Sequence, residues 1–252
     1  LHGILHSFPT RRSSDLNVRD YGDFRAVILG DLSGNTLTAD QAAALEEFVS
    51  KRGGGLLILG GPQAFGPAAN GTPLENLSPF RPSEETSATY RIGGPFKVEL
   101  TPAGKAHSAL AAIAAPGAPP WPNVGAVNLL PGVKPGAETL AVWKSEKAEG
   151  PLLAVQRYGA GWVAGFAGDE LWRLRMRLPA ADDRYDRVAR GLARWLLGNV
   201  RPHVALTVSQ DQVAPGEAVE VVVQVTDESL DPVAGAEVAL EVLGPGGDTD
   251  SV

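Results

Sequence analysis

The chain has 252 residues, of which 44% are apolar, and a formal net charge of −7 without a single cysteine. The missing cysteine excludes disulfides and thiolate metal sites, and no apolar run approaches the ~18 residues of a membrane span. A mildly acidic chain of this kind argues against binding to nucleic acids or to anionic lipid surfaces. We therefore predict a globular protein with no nucleic-acid partner, no metal and no cofactor.

The first segment differs in character from the rest. Residues 6–16 read His-Ser-Phe-Pro-Thr-Arg-Arg-Ser-Ser-Asp-Leu and resemble a translated sequencing-library adapter. We treat residues 1–16 as a non-native leader and expect the genuine protein to start near Asn17.

The next elements form a predicted strand–helix–strand unit. Residues 26–30 are a short apolar run typical of a buried parallel strand. A capping box then starts a helix, with Thr38 as the N-cap and Gln41 at the third helical position. Glycines 53–55 end that helix, and residues 56–59 form the second strand. The helix presents one apolar stripe to the sheet, made of Ala42, Leu45, Phe48 and Val49.

The middle of the chain combines loops with further predicted strands. Residues 67–95 are rich in Pro, Gly, Ser and Thr and predict a long excursion. Residues 139–143 and 152–156 predict strands, and residues 158–161 predict a hairpin turn leading into a strand at 162–167. An amphipathic helix follows, with an apolar face of Tyr185, Val188, Leu192, Trp195 and Leu196. Its polar face consists largely of Arg184, Arg187, Arg190 and Arg194.

The composition changes after Pro202. Three Val-rich segments at 204–208, 218–225 and 236–242 largely alternate between apolar and polar residues, as half-buried antiparallel strands do. They predict the start of an immunoglobulin-like sandwich. We therefore expect an α/β domain over residues 17–202 and a partial immunoglobulin-like β domain over 203–252.

Several segments of the first domain carry a resemblance to a known family. They are residues 27–32, 48–49, 53–62, 71–74, 158–161 and 172–173. On the basis of these segments, the chain resembles a class I glutamine amidotransferase-like domain. Such domains occur in large bacterial membrane-anchored proteins that also carry a von Willebrand factor A domain. The resemblance implies a flavodoxin-like, mostly parallel sheet flanked by helices. It also implies that the module is anchored to a membrane through other regions and lies on the extracytoplasmic face.

The residues that a class I glutaminase uses are missing. Such an enzyme needs a cysteine on a tight strand-to-helix turn, Gly-x-Cys-x-Gly, beside backbone N–H donors. Here the corresponding turn, residues 60–63, reads Gly-Gly-Pro-Gln, and the place of the family's His-Pro-Glu, residues 168–170, reads Gly-Asp-Glu. We therefore predict no catalytic residues for glutaminase chemistry.

Polar residues after the predicted strands define a candidate pocket, because ligands of open α/β sheets bind at the carboxyl ends of the strands. The candidate residues are Asp31, Gly60, Gly61, Gln63, Asp169, Glu170, Trp172 and Arg173. One interpretation is a cleft that binds a small polar ligand or a loop of a partner protein. The other is a set of tight turns with solvated carboxylates.

Three functions follow from these alternatives. The first is a non-catalytic interaction or ligand-binding module. The second is a hydrolase, for example one acting on sugars, that uses Asp31, Asp169 and Glu170 as acid and base. The third is a purely structural spacer.

Overall fold

The computed structural model describes residues 24–32, 36–67, 70–82, 91–168, 175–176, 178–198, 204–210, 214, 217–226, 233–243 and 249–251. The leader at residues 1–16 lies outside these ranges. The chain divides into two compact units between residues 200 and 201. Each unit is described by itself below.

The first unit is an α/β structure around a seven-stranded mixed sheet with strand order β1-β2-β7-β6-β5-β3-β4. The strands are β1 (Ala26–Leu29), β2 (Gly55–Leu59), β3 (Arg91–Leu100), β4 (Val124–Asn128), β5 (Ala137–Lys144), β6 (Glu149–Tyr158) and β7 (Gly161–Phe166). The helices bounded within the described residues are α1 (Ala39–Ser50), α2 (Pro73–Leu77), α3 (Pro102–Ala106), α4 (Ala111–Ala114) and α5 (Arg184–Gly198), with a 3-10 turn at Ser108–Leu110.

The prediction of a mostly parallel sheet is wrong. Only the β1–β2 and β2–β7 pairings are parallel, whereas the other pairings of this sheet are antiparallel. A two-residue turn joins only antiparallel neighbours, which accounts for the pairing of β6 with β7. Tyr158 pairs with Gly161 across such a turn, and Gly159 within it has a φ of 59°. The predicted hairpin at this position is therefore confirmed.

The strand–helix–strand unit at the start of the sheet is also confirmed. Gln41 donates its backbone N–H to Thr38 Oγ1 at 3.2 Å, and Thr38 donates its own to Gln41 Oε1 at 3.0 Å, which completes the capping box. The predicted apolar stripe of α1 is buried against the sheet. It packs into one of two core clusters, together with Leu56 and Ile58 of β2.

The opposite face of the sheet holds the second cluster. Leu57 points there because successive side chains of a strand alternate between the faces. Val188, Leu192 and Leu196 of α5 cover this cluster at helical spacing. Of the residues that follow β1 and β2, Gly30 is exposed, whereas Gly60 and Gly61 are buried.

Among its described residues, the second unit contains two separate two-stranded sheets. In one, β8 (Val204–Val208) pairs antiparallel with β9 (Val221–Val225), and in the other β10 (Glu241–Leu243) pairs antiparallel with β11 (Thr249–Ser251). The register of β8 and β9 places six aliphatic side chains on one face: Val204, Leu206, Val208, Val221, Val223 and Val225. The predicted antiparallel strands at 204–208 and 218–225 are thus confirmed in type, whereas the immunoglobulin-like arrangement stays a prediction.

Candidate functional site

Half of the predicted pocket residues meet at the carboxyl ends of β1 and β2. Asp31 follows β1, and Gly60, Gly61 and Gln63 form the turn after β2. The others lie outside the described residues, namely Asp169, Glu170, Trp172 and Arg173. We call residues 60–65 the β2 turn.

The carboxylate of Asp31 holds the β2 turn from one side. Its Oδ1 accepts hydrogen bonds from the backbone N–H groups of Gln63 at 2.7 Å and Ala64 at 2.8 Å. A Cβ atom on Gly61 would lie 2.3 Å from Asp31 Cγ, which is closer than nonbonded carbons approach. Glycine is therefore required at this position for the turn to close over the carboxylate.

Asn128, at the end of β4, holds the β2 turn from the other side. This residue is only 1% exposed. Its Nδ2 donates to the carbonyl oxygens of Gly61 at 2.9 Å and Ala64 at 3.3 Å, and its Oδ1 accepts from Gly61 N at 3.2 Å. The turn therefore carries three hydrogen bonds from one buried amide, each satisfying a polar atom that would otherwise be costly to bury.

The end of β7 completes the arrangement. Gly60 donates its N–H to the carbonyl of Phe166 at 2.7 Å, and Asn128 donates its backbone N–H to the carbonyl of Ala167 at 2.7 Å. A Cβ on Gly60 would lie 2.3 Å from Asn128 Oδ1. Gly60 is thus needed for close approach of three strand ends.

Asn128 was not among the residues predicted for this site. It is a polar residue that ends a short apolar run, Val-Gly-Ala-Val-Asn, over residues 124–128. That pattern is the sequence signal from which it could have been found. Because the strand belongs to the far edge of the sheet, its arrival beside the β2 turn follows from tertiary structure alone.

The turn ends in a strained residue beside a small cavity. Phe65 has a φ of 60°, a conformation that side-chain-bearing residues adopt at a cost, and its ring meets Phe80 edge to face at 5.0 Å. The adjoining apolar cavity has a volume of about 30 Å³ and is lined by Gly30, Leu32 and Ala64 among others. This volume is far below the ~300–1,000 Å³ of typical small-molecule pockets.

The chemical capacity of the described site is limited. The β2 turn contains no hydroxyl or thiol side chain, and Asp31 Oδ1 already accepts two N–H donors. Within the described ranges, no group of three or more His, Asp or Glu side chains is arranged to bind a metal ion. None of the helices in the described part of the chain combines the length and apolar character needed to cross a bilayer.

His107 lies apart from this site and has a local structural role. Its Nδ1 accepts the backbone N–H of Ala109 at 3.3 Å, which caps the 3-10 turn, and its ring meets Trp195 of α5 edge to face at 5.0 Å. Burial lowers the pKa of His107 below its ordinary value of 6.5, and the negative charge of Glu138 offsets this only in part.

This pKa shift predicts a pH dependence of stability. The unfolded chain takes up the proton more readily, so the contribution of His107 is complete above pH 6.5 and is lost as the pH falls through the folded pKa. The variant H107N keeps an acceptor for Ala109 and does not titrate. We expect the free energy of unfolding of the wild type to fall relative to that of H107N when denaturation is measured at about pH 7.5 and then at about pH 5. A difference that is constant over this range would contradict the prediction.

Comparison with known proteins finds structures of similar fold but no family to which the chain can be assigned. No protein-family model and no curated protein matches the chain. Among solved structures, Cytoplasmic Protein STM1381 from Salmonella typhimurium LT2 is similar with a TM-score of 0.54 at 20% identity, over 73% of this chain and 76% of that one. Cytoplasmic Protein STM3548 from Salmonella typhimurium is similar with a TM-score of 0.55 at 18% identity, over 71% and 74% of the two chains. At these identities the similarity shows a shared α/β fold alone.

Proposed function

We propose that this chain is a non-catalytic interaction or ligand-binding module built on an amidotransferase-like α/β domain. The observation that supports this most directly is the β2 turn. In the resembled family the turn after this strand carries the nucleophile, whereas here its backbone is bound by Asp31 and Asn128 and it carries no nucleophilic side chain.

Acyl transfer from glutamine requires a nucleophilic side chain, and the β2 turn has none. A glutaminase forms a covalent thioester, and without a nucleophile and its base only binding-level assistance to hydrolysis remains. The chain has no cysteine, and glycine stands at position 168, where the family has histidine. A retained fold with its reactive groups replaced is suited to binding rather than turnover.

The hydrolase alternative depends on Asp31, Asp169 and Glu170. Asp31 is engaged in two hydrogen bonds to the β2 turn, which gives this carboxylate a structural role. The other two carboxylates lie outside the described residues. The described geometry therefore favours the binding module over the hydrolase.

The resemblance also supports a proposal about location. We propose that the module belongs to a membrane-anchored bacterial protein and faces the extracytoplasmic side, where an immunoglobulin-like second domain accompanies it. Proteolysis of spheroplasts, from which the outer envelope has been removed, and of lysed cells tests this, since an extracytoplasmic module is cleaved in both preparations. Protection in spheroplasts would contradict the proposed location.

An activity assay on the full chain tests the central proposal. Wild type and D31N are each incubated with L-glutamine, to follow ammonia release, and with p-nitrophenyl glycosides, to follow nitrophenol release. The asparagine of D31N retains an oxygen that can accept the N–H groups of Gln63 and Ala64, so this variant removes the carboxylate while keeping the turn. We expect no release above buffer from either protein.

Two outcomes would contradict the proposal in different ways. Stoichiometric ammonia release from glutamine would show that the chain is an active glutaminase. Glycoside hydrolysis by the wild type that is lost in D31N, with an unchanged melting temperature, would establish the hydrolase alternative.

A further inference from the structure

The outer face of α5 carries an unusual charge pattern. Arg187, Arg190 and Arg194 lie at positions i, i+3 and i+7 of the helix, and all three are exposed. Because 3.6 residues make one turn, these side chains fall on one face, opposite the buried Val188 and Leu192. We call the three residues the arginine stripe.

The stripe is poorly neutralised by the protein itself. Arg187 Nε lies 2.8 Å from Asp183 Oδ2, which is an exposed i,i+4 ion pair. No carboxylate of the described residues lies within ion-pairing distance of Arg190 or Arg194. Asp186 stands four residues before Arg190 but lies 3.9 Å from Arg175 Nε, and Arg190 and Arg194 form a like-charged pair at i,i+4, which destabilises an isolated helix.

Arg184 belongs to the same helix but is used differently. Its Nε donates to both carboxylate oxygens of Asp182, at 2.9 and 3.0 Å, and its Nη1 donates to the carbonyl of Pro120 at 2.6 Å. Arg184 therefore fixes the start of α5 to the loop before β4. Arg184, rather than the arginine stripe, makes this attachment of the helix.

The position of the helix makes the stripe a stable platform. A Cβ atom on Gly191 would lie 2.0 Å from the carbonyl oxygen of Ala109, so α5 is packed closely on the 3-10 turn. Leu196 is 1% exposed in the core. A partner would thus meet arginines carried by a rigid element, which lowers the entropy lost on binding.

We propose that the arginine stripe is a docking surface for an acidic polypeptide segment of a partner protein. This inference rests on the proposed function in taking the chain as an interaction module, and it names the surface and the chemistry of the partner. The planar guanidinium group binds carboxylates in a bidentate manner, and arginine is enriched at the buried centres of protein interfaces.

The dimensions and surroundings of the stripe favour a protein over a nucleic acid or a lipid surface. From Arg187 to Arg194 the helix rises only about 10 Å, which is short for the six to ten phosphate contacts that a nucleic-acid site typically makes. Leu197 continues the same face one turn on and is 40% exposed, offering an apolar contact beside the charges.

A binding titration with the full chain tests this surface. The probe is a fluorescently labelled oligoglutamate of about ten residues at about 50 mM salt, because exposed charge pairs are screened at higher ionic strength. The test variant is R190Q/R194Q. The matched control is K105Q/K147Q, which removes the same charge from two exposed lysines elsewhere in the first unit.

We expect the wild type to bind the peptide, R190Q/R194Q to bind it about tenfold more weakly, and K105Q/K147Q to change affinity by less than about twofold. Absence of binding by the wild type, or equal weakening in both variants, would overturn the proposal. Tighter binding of the wild type to oligothymidine of the same length, or to phosphatidylserine vesicles, than to the peptide would also overturn it. Self-association of the wild type that is abolished in R190Q/R194Q would overturn it as well.

The two proposals fail separately. Enzymatic turnover would contradict the proposed function without changing the peptide titration. Peptide binding by R190Q/R194Q as tight as that of the wild type would contradict this inference without producing turnover.

Discussion

The variant N128L is expected to lower the free energy of unfolding by about 4 kcal/mol, since it removes three hydrogen bonds at a buried site where each unsatisfied polar group costs about 1–3 kcal/mol. Leucine has the same number of side-chain heavy atoms and the same branching as asparagine but cannot donate to Gly61 and Ala64 or accept from Gly61. Asn128 is 1% exposed, so water cannot readily replace the lost partners. Urea denaturation measures the effect as a lower midpoint with an unchanged slope.

The control for N128L is the same substitution at Asn123, which lies just before β4 and is exposed. N123L is expected to change the free energy of unfolding by less than about 0.5 kcal/mol, as exposed substitutions usually do. If N128L were no more destabilising than N123L, the amide of Asn128 would not be what holds the β2 turn.

The variant G191A is expected to lower the free energy of unfolding by about 2 kcal/mol, although alanine normally stabilises a helix interior by up to about 1 kcal/mol over glycine. The added methyl group would lie 2.0 Å from the carbonyl oxygen of Ala109. That oxygen belongs to the backbone, so relief requires α5 to move away from the 3-10 turn. The cost of this movement exceeds the gain in helix propensity.

Gly198 in the same helix provides the control. A Cβ atom there would meet no other atom within 4 Å. G198A is therefore expected to leave the free energy of unfolding within about 0.5 kcal/mol of the wild type. Equal stability of G191A and G198A in thermal and urea denaturation would show that α5 does not pack as closely as described.

Local sequence patterns predicted the elements that depend on local interactions. The capping box of Thr38 and Gln41 fixed the start of α1, and the apolar runs before and after it became β1 and β2. The turn at residues 158–161 was recognised because its glycines permit a tight reversal. In each case the signal lies within a few residues of the element that it specifies.

The first half of strand β3, residues 91–95, lies within the predicted loop at 67–95. Its sequence contains Gly93, Gly94 and Pro95, which are typical of turns. In the structure these residues form an irregularity where the strand changes partner. Residues 91–93 and 96 pair with β4, and residues 97–100 pair with β5. A bulge at a partner change accommodates proline and glycine, but nothing in the local sequence reveals the second partner.

The candidate site was predicted only in part, because one of its residues comes from a strand whose position the local sequence does not reveal. Asp31, Gly60 and Gly61 follow predicted strands, and the rule that strand ends converge brought them together correctly. Asn128 comes from β4, at the far edge of the sheet, and reaches the β2 turn because its backbone also binds Ala167 after β7. Such an approach depends on how the whole sheet curves, which one sequence does not specify.

The parallel pairing of β2 with β7 has a consequence for synthesis of the protein. Gly55 pairs with Trp162, so β2 leaves the ribosome long before its second neighbour. At about 5–20 residues per second, roughly 100 intervening residues take about 5–20 s to be made. During that interval one hydrogen-bonding edge of the segment Gly-Leu-Leu-Ile-Leu has no strand beside it, although α1 has already emerged to cover one of its faces. The nascent chain is therefore most exposed to wrong strand pairing in this period, and late arrival of β7 closes the edge.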